Sequence, residues 1–123
     1  MVEISEKEEK MRSSLIEIAI DGWRFSRTFS RMLEKLDAGE SNRYVNQLRY
    51  YQKRLMEHLE GNGLRIVNLE GQTYDPGMPA SALNITDFGP DDVLVIDQMV
   101  EPIVMDQEGV RKSGTVMVRK VEQ

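Results

Sequence analysis

Asp87, Asp91 and Asp92 offer carboxylates close enough along the chain to bind a cation or act as an acid pair. They lack the spacing of an established calcium loop, and turn formation and solvation of a strand start account for them more simply. His58 is the single histidine and there is no cysteine, so a metal site would lack a second imidazole and any thiolate. Its position on the apolar seam of a helix is explained by packing or by a helix end. No nucleophile elbow, phosphate loop or zinc signature is present. The sequence predicts no cofactor and no enzyme.

The composition narrows the function further. A net charge of −5 with scattered Lys and Arg argues against nucleic acid, whose phosphates demand concentrated positive charge. The stretch Met1–Lys10 is charged and acidic, unlike a secretory signal, and no run reaches the roughly 18 apolar residues of a membrane span. A cytoplasmic location is expected.

Two halves differ in period. In the first, Met11, Leu15, Ile18, Gly22, Phe25, Phe29, Met32 and Leu36 alternate steps of four and three, the heptad rhythm of one apolar helix seam. Ile16, Ala19, Ile20, Trp23 and Leu33 widen it beyond what one facing helix covers. Ser5 and Glu8 match a capping box, and helix one is predicted from about residue 5 to about residue 37. The segment Ala38–Asn42 is read as a break, with Gly39 in a left-handed C-cap and Ser41 capping helix two. Helix two carries Tyr44, Leu48, Tyr51, Leu55 and His58 and stops at Gly61-Asn62-Gly63. Such a hairpin has nowhere of its own to hide its apolar surface, and pairing two hairpins into a dimeric four-helix bundle solves the problem. Leu15, Ile18, Trp23, Phe25, Phe29, Met32, Leu36, Leu48, Tyr51 and Leu55 are the expected dimer interface.

From Leu64 the period becomes two. Strands are predicted at Leu64–Leu69, Val93–Ile96, Ile103–Met105 and Thr115–Val118, with a hairpin loop at Asp106–Gly109 whose glycine supplies a positive φ. Pro76, Pro79, Pro90 and Pro102 keep these strands short. The fold class is therefore α+β: a helical dimerisation hairpin over residues 1–62 and a small β domain over 63–123.

This order of elements resembles the GrpE family. Gly63-Leu64-Arg65-Ile66-Val67 is similar to the family's exit from the bundle into the first strand, and Tyr74-Asp75-Pro76-Gly77-Met78-Pro79-Ala80 to its Asp-Pro stretch. Val93-Leu94-Val95-Ile96-Asp97-Gln98 and Gly109 to Val118 resemble the runs that end its β domain. Pro79 stands where the family has His, and Val100-Glu101-Pro102 replaces its Gly-Tyr. Gln47 falls where well-known members have a glycine, and the long N-terminal stalk is missing.

The resemblance implies a co-chaperone that binds the nucleotide-binding domain of a DnaK-type chaperone and promotes ADP release. Chaperone contact would then fall to Gln47, Asp75, Pro76, Met78, Asp97, Gln98, Gln107, Glu108, Arg111 and Lys112, with Met99 a further contact candidate. The alternative is a GrpE-like dimeric scaffold that docks another protein without exchange activity.

Overall fold

A computed structural model describes residues 5–122, which divide into two compact units at the Gly63–Leu64 boundary. The class is α+β, two helices followed by a small β unit of antiparallel and mixed pairing. Among the described residues no helix is long and apolar enough to cross a membrane.

Helix α1 spans Glu6–Leu33 and α2 spans Ala38–Glu60. Ser5 caps α1 by accepting a hydrogen bond from the Glu8 amide at 3.1 Å, and Glu6, Glu8 and Glu9 complement the positive end of the helix dipole. Helix one ends four residues earlier than the heptads suggest. The break is at residues 34–37, because Asp37 caps α2 through the Glu40 amide at 3.0 Å. Ala38–Asn42 are thus the first turns of α2: Ser41 is not its cap, and Gly39 is helical rather than left-handed. Leu36 lies in the connection instead of on a seam. The exit is as expected, with Gly61 as C-cap, Gly63 at φ +74° and the Asn62 side-chain amide donating to the His58 carbonyl at 2.8 Å. His58 is exposed in the last turn of α2, a helix-end position and not a packed one.

The helices run antiparallel, and side chains of α2 fill the space where α1 is small. A Cβ at Gly22 would collide with the Tyr51 hydroxyl, and Leu55 lies beside it. Ser26 is buried and returns its hydroxyl to the Gly22 carbonyl at 2.9 Å, so its one polar atom is satisfied. Ile16, Ala19, Ile20 and Leu33 are buried as well.

The β unit holds two three-stranded sheets. One has the order β1 (Arg65–Val67), β4 (Ile103–Asp106), β5 (Gly109–Lys112), and the other β2 (Ala80–Ala82), β6 (Gly114–Lys120), β3 (Leu94–Glu101). All neighbours are antiparallel except β2 and β6, which run parallel. Strand β3 continues well past Ile96, since register shifts at Asp97 and Val100 carry it through the point where simple alternation fails. Each extra residue resets the phase, so Leu94, Ile96 and Met99 point inward while Asp97 points out. Buried Pro102 ends the strand and turns the chain into β4 of the other sheet. Ile96, Met99, Ile103, Val104, Val116 and Val118 form the core of this unit, so Met99 is a packing residue and not a contact.

Gly114 opens β6 under the β3 corner. A Cβ there would sit 2.7 Å from the Glu101 carbonyl oxygen and 3.0 Å from Ile103. Because the nearest obstacle is backbone, it cannot swing aside. Gly114→Val is expected to destabilise the β unit by about 1–3 kcal/mol, measured as a lower urea midpoint in the near-ultraviolet signal.

Candidate protein-docking surfaces

Two surfaces stand out, one in each unit. On α1 the side chains that α2 leaves uncovered are Met11, Ile18, Phe25 and Met32, 62%, 62%, 65% and 49% exposed. They recur every seven residues over about 30 Å of helix at 1.5 Å per residue. Leu15, Trp23 and Phe29 flank them half-buried. Phe25 stacks on Phe29 at 6.2 Å between centroids, and Phe29 meets Tyr44 of α2 edge-on at 6.5 Å. Arg27 covers the Trp23 ring at 5.0 Å. On α2, Tyr51 is exposed, while Leu48 and Leu55 are half-buried.

In the β unit, the residues carried over from the resemblance do not converge on one constellation. Asp75 and Pro76 are exposed in the loop between β1 and β2, where the Asp75 carboxylate accepts from the Gly77 amide at 2.9 Å and its carbonyl from the Met78 amide at 2.9 Å. This is an Asx turn, the ordinary role of Asp before Pro-Gly. The turn stands beside the start of β3, since the Tyr74 amide donates to the Leu94 carbonyl. Asp97 and Gln98 lie within β3 rather than at its end, and Asp97 faces Arg119 at 3.3 Å. Gln107, Glu108, Arg111 and Lys112 belong to the β4–β5 hairpin of the other sheet. Gln47 is exposed on α2, in the other unit.

Asp106, expected at the start of that hairpin loop, is also the residue whose carboxylate builds it. The Asp106 side chain is only 4% exposed; one carboxylate oxygen accepts from the amides of Glu108 at 2.8 Å and Gly109 at 3.1 Å, and the other meets Arg111 at 2.6 Å. A register shift between β4 and β5 leaves Arg111 as the extra residue. Gly109, at φ +135°, takes the left-handed position expected of it. Arg111 is therefore engaged within the chain. Asp106 precedes a Gln-Glu-Gly turn, and that Asx-turn signature was the available signal.

A cleft of about 610 Å³ opens beside the Asp75 turn, with Tyr74, Pro76, Ile85, Phe88, Pro90 and Val93 among its walls. Ile85 and Val93 are 43% and 53% exposed. Asp92 lies on the cleft and also ties its wall: it accepts from the Gly89 amide at 2.8 Å and pairs with Lys120 at 3.3 Å. The Gly89 hydrogen bond, followed by Lys120, holds its pKa below the usual carboxylate range. Asp87 is exposed at the end of a short 3-10 helix, Ile85–Asp87, and Asp91 is an exposed turn residue. Among the described residues no group of three or more His, Asp or Glu side chains is placed to hold a metal ion.

Comparison of the chain with protein-family models, with characterised proteins and with solved structures finds no match to any of them.

Asp106→Ala is expected to cost the β unit about 1–3 kcal/mol by orphaning the hairpin amides and Arg111, with Asp106→Asn losing less because it keeps an acceptor. Urea unfolding measures the loss, and faster amide exchange at Glu108 and Gly109 locates it.

Proposed function

We propose that this chain is a GrpE-like co-chaperone: a homodimer formed through α1 that presents its β unit to the nucleotide-binding domain of a DnaK-type chaperone and promotes ADP release. The observation that carries the reading is the open heptad stripe on a helical hairpin that continues, through a glycine exit, into six short strands. It extends the reading of the sequence motifs to an architecture of the same order.

A second copy is the occupant that best fits the stripe. A partner helix of the same sequence matches its seven-residue spacing and its length, and burying each large apolar side chain contributes about 1.5–3 kcal/mol. The dimer would make a four-helix bundle from two hairpins, with Ile18 and Phe25 at its centre.

Exchange needs no bond chemistry. A factor that prefers the open chaperone cleft lowers ADP affinity by the same free energy it gains from that preference. Surface complementarity is sufficient, and rigid loops on a packed β unit suit it. The scaffold alternative is favoured by one observation: Arg111, the cation expected to reach chaperone carboxylates, is committed to Asp106.

Light scattering at micromolar concentration is expected to return the mass of two 14.2-kDa chains, and Phe25→Glu that of one with helicity retained. A folded wild-type protomer alone would end the dimer reading. With a DnaK-type chaperone, the wild-type dimer is expected to weaken ADP binding by roughly 5–150-fold, seen as faster release of a fluorescent ADP analogue in stopped flow. A well-folded dimer that binds the chaperone and leaves release unchanged would select the scaffold.

A further inference from the structure

The cleft of the β unit has mostly apolar walls, with Asp92 the one carboxylate among the residues that line it. Its walls combine two aromatic rings, Tyr74 and Phe88, with Pro76 and Pro90, whose backbone lacks an N–H, and with the exposed side chains of Ile85 and Val93. At about 610 Å³ it lies within the roughly 300–1,000 Å³ typical of ligand clefts.

Charge decides which segment. Residues 66–110 contain nine Asp and Glu and not one Lys, Arg or His. Asp75, Asp87 and Asp91 each fall in the chain between two residues that line the cleft, and all three are exposed. The cations on the adjacent strand, Arg119 and Lys120, are held by Asp97 and Asp92. An excess of exposed carboxylates next to the lining residues disfavours phosphate, nucleic acid and anionic lipid, and favours Lys and Arg.

We propose that this cleft is a docking groove for an extended basic segment of a partner protein, in which Lys or Arg flank one or two large apolar side chains. The apolar side chains fill the space between Phe88, Ile85 and Val93, and the cations meet Asp87 and Asp91. Neither dimerisation nor nucleotide exchange is required.

The test is fluorescence anisotropy with the full chain and a fluorescein-labelled peptide, Lys-Phe-Arg-Pro-Leu-Lys-Phe-Arg. Two controls accompany it: one with every cation replaced by Glu, and one with every apolar residue and the proline replaced by Ser. Saturable binding of the first peptide is expected, weakened about tenfold or more in either control and in Asp87→Lys/Asp91→Lys or Val93→Ser, and weakened by added salt. The substituted side chains are all exposed, so circular dichroism should match the wild type, and amide shifts should concentrate at residues 73–94. The proposal is overturned if the first peptide binds no better than a control, if both variants bind it as well as the wild type, or if the shifts lie elsewhere. Phe25→Glu should bind the peptide unchanged, so failure of the groove and failure of the co-chaperone reading are told apart.

Discussion

Helix α1 carries apolar side chains over more of its circumference than a single neighbouring helix can cover, and the organisation of the helical unit follows from that excess. α2 packs on the side where α1 is smallest, at Gly22 and Ser26, because the missing side chain at Gly22 leaves the space that the Tyr51 ring end and Leu55 occupy. Choosing that side fixes what is left over. Met11, Ile18, Phe25 and Met32 remain outside the intrachain contact, and their shared spacing makes the remainder a continuous stripe instead of scattered exposed residues. Scattered apolar residues on a surface need no explanation, but a contiguous patch does. The small residues of α1 thus set both the geometry of the hairpin and the surface it offers to a partner.

The β unit solves a different problem, since four of its strands have only three or four residues and the ladder of its longest is interrupted. Three polar side chains supply what the ladders lack. Asn84 both donates to and accepts from the backbone of Val118, extending β2 by one side chain along β6. Glu70 accepts from the Met99 amide within the shifted part of β3, and Asp106 gathers two amides at the β4–β5 turn. Hydrogen bonds to ionised or buried groups contribute about 1–3 kcal/mol each, which matters in a unit of this size. The same devices rigidify the loops around them, so the surface is shaped by buried polar chemistry as much as by apolar packing.

Much of this was legible in the residues. The heptads placed both helices, the change to period two placed the β unit, and Asp-Gln-Glu-Gly located the hairpin with its left-handed glycine. The helix break was misplaced because Gly39 drew attention as a terminator. Asp37 and Glu40, spaced as an N-cap and its third helical residue, were the stronger physical signal, since a capped start offsets the roughly 1 kcal/mol that a helical glycine costs. The extent of β3 was hidden because its extra residues at Asp97 and Val100 disrupt the alternation by which strands are recognised. Met99 consequently looked like a loop residue. The cleft was not readable at all: Tyr74, Phe88 and Val93 are brought together by pairing between residues distant in the chain, which no local pattern encodes.

The placement of charge in the β unit bears on how it could hold a partner. Its Lys and Arg residues are Arg65, Arg111, Lys112, Arg119 and Lys120, and three of them pair with Asp106, Asp97 and Asp92. Lys112 is engaged within the chain too, and Arg65 reaches the Met105 sulfur at 3.8 Å. Spending cations on internal partners leaves Asp75, Asp87 and Asp91 to dominate the field outside. A docking partner would therefore be steered by its own Lys and Arg, the reverse of an arrangement in which Arg111 and Lys112 reach out to carboxylates. Because exposed pairs contribute only about 0–1 kcal/mol each, such steering sets encounter rate and selectivity, while affinity must come from apolar contact. In this unit the exposed apolar side chains Ile85 and Val93 line the cleft, and Asp87 and Asp91 are close neighbours of its lining residues in the chain.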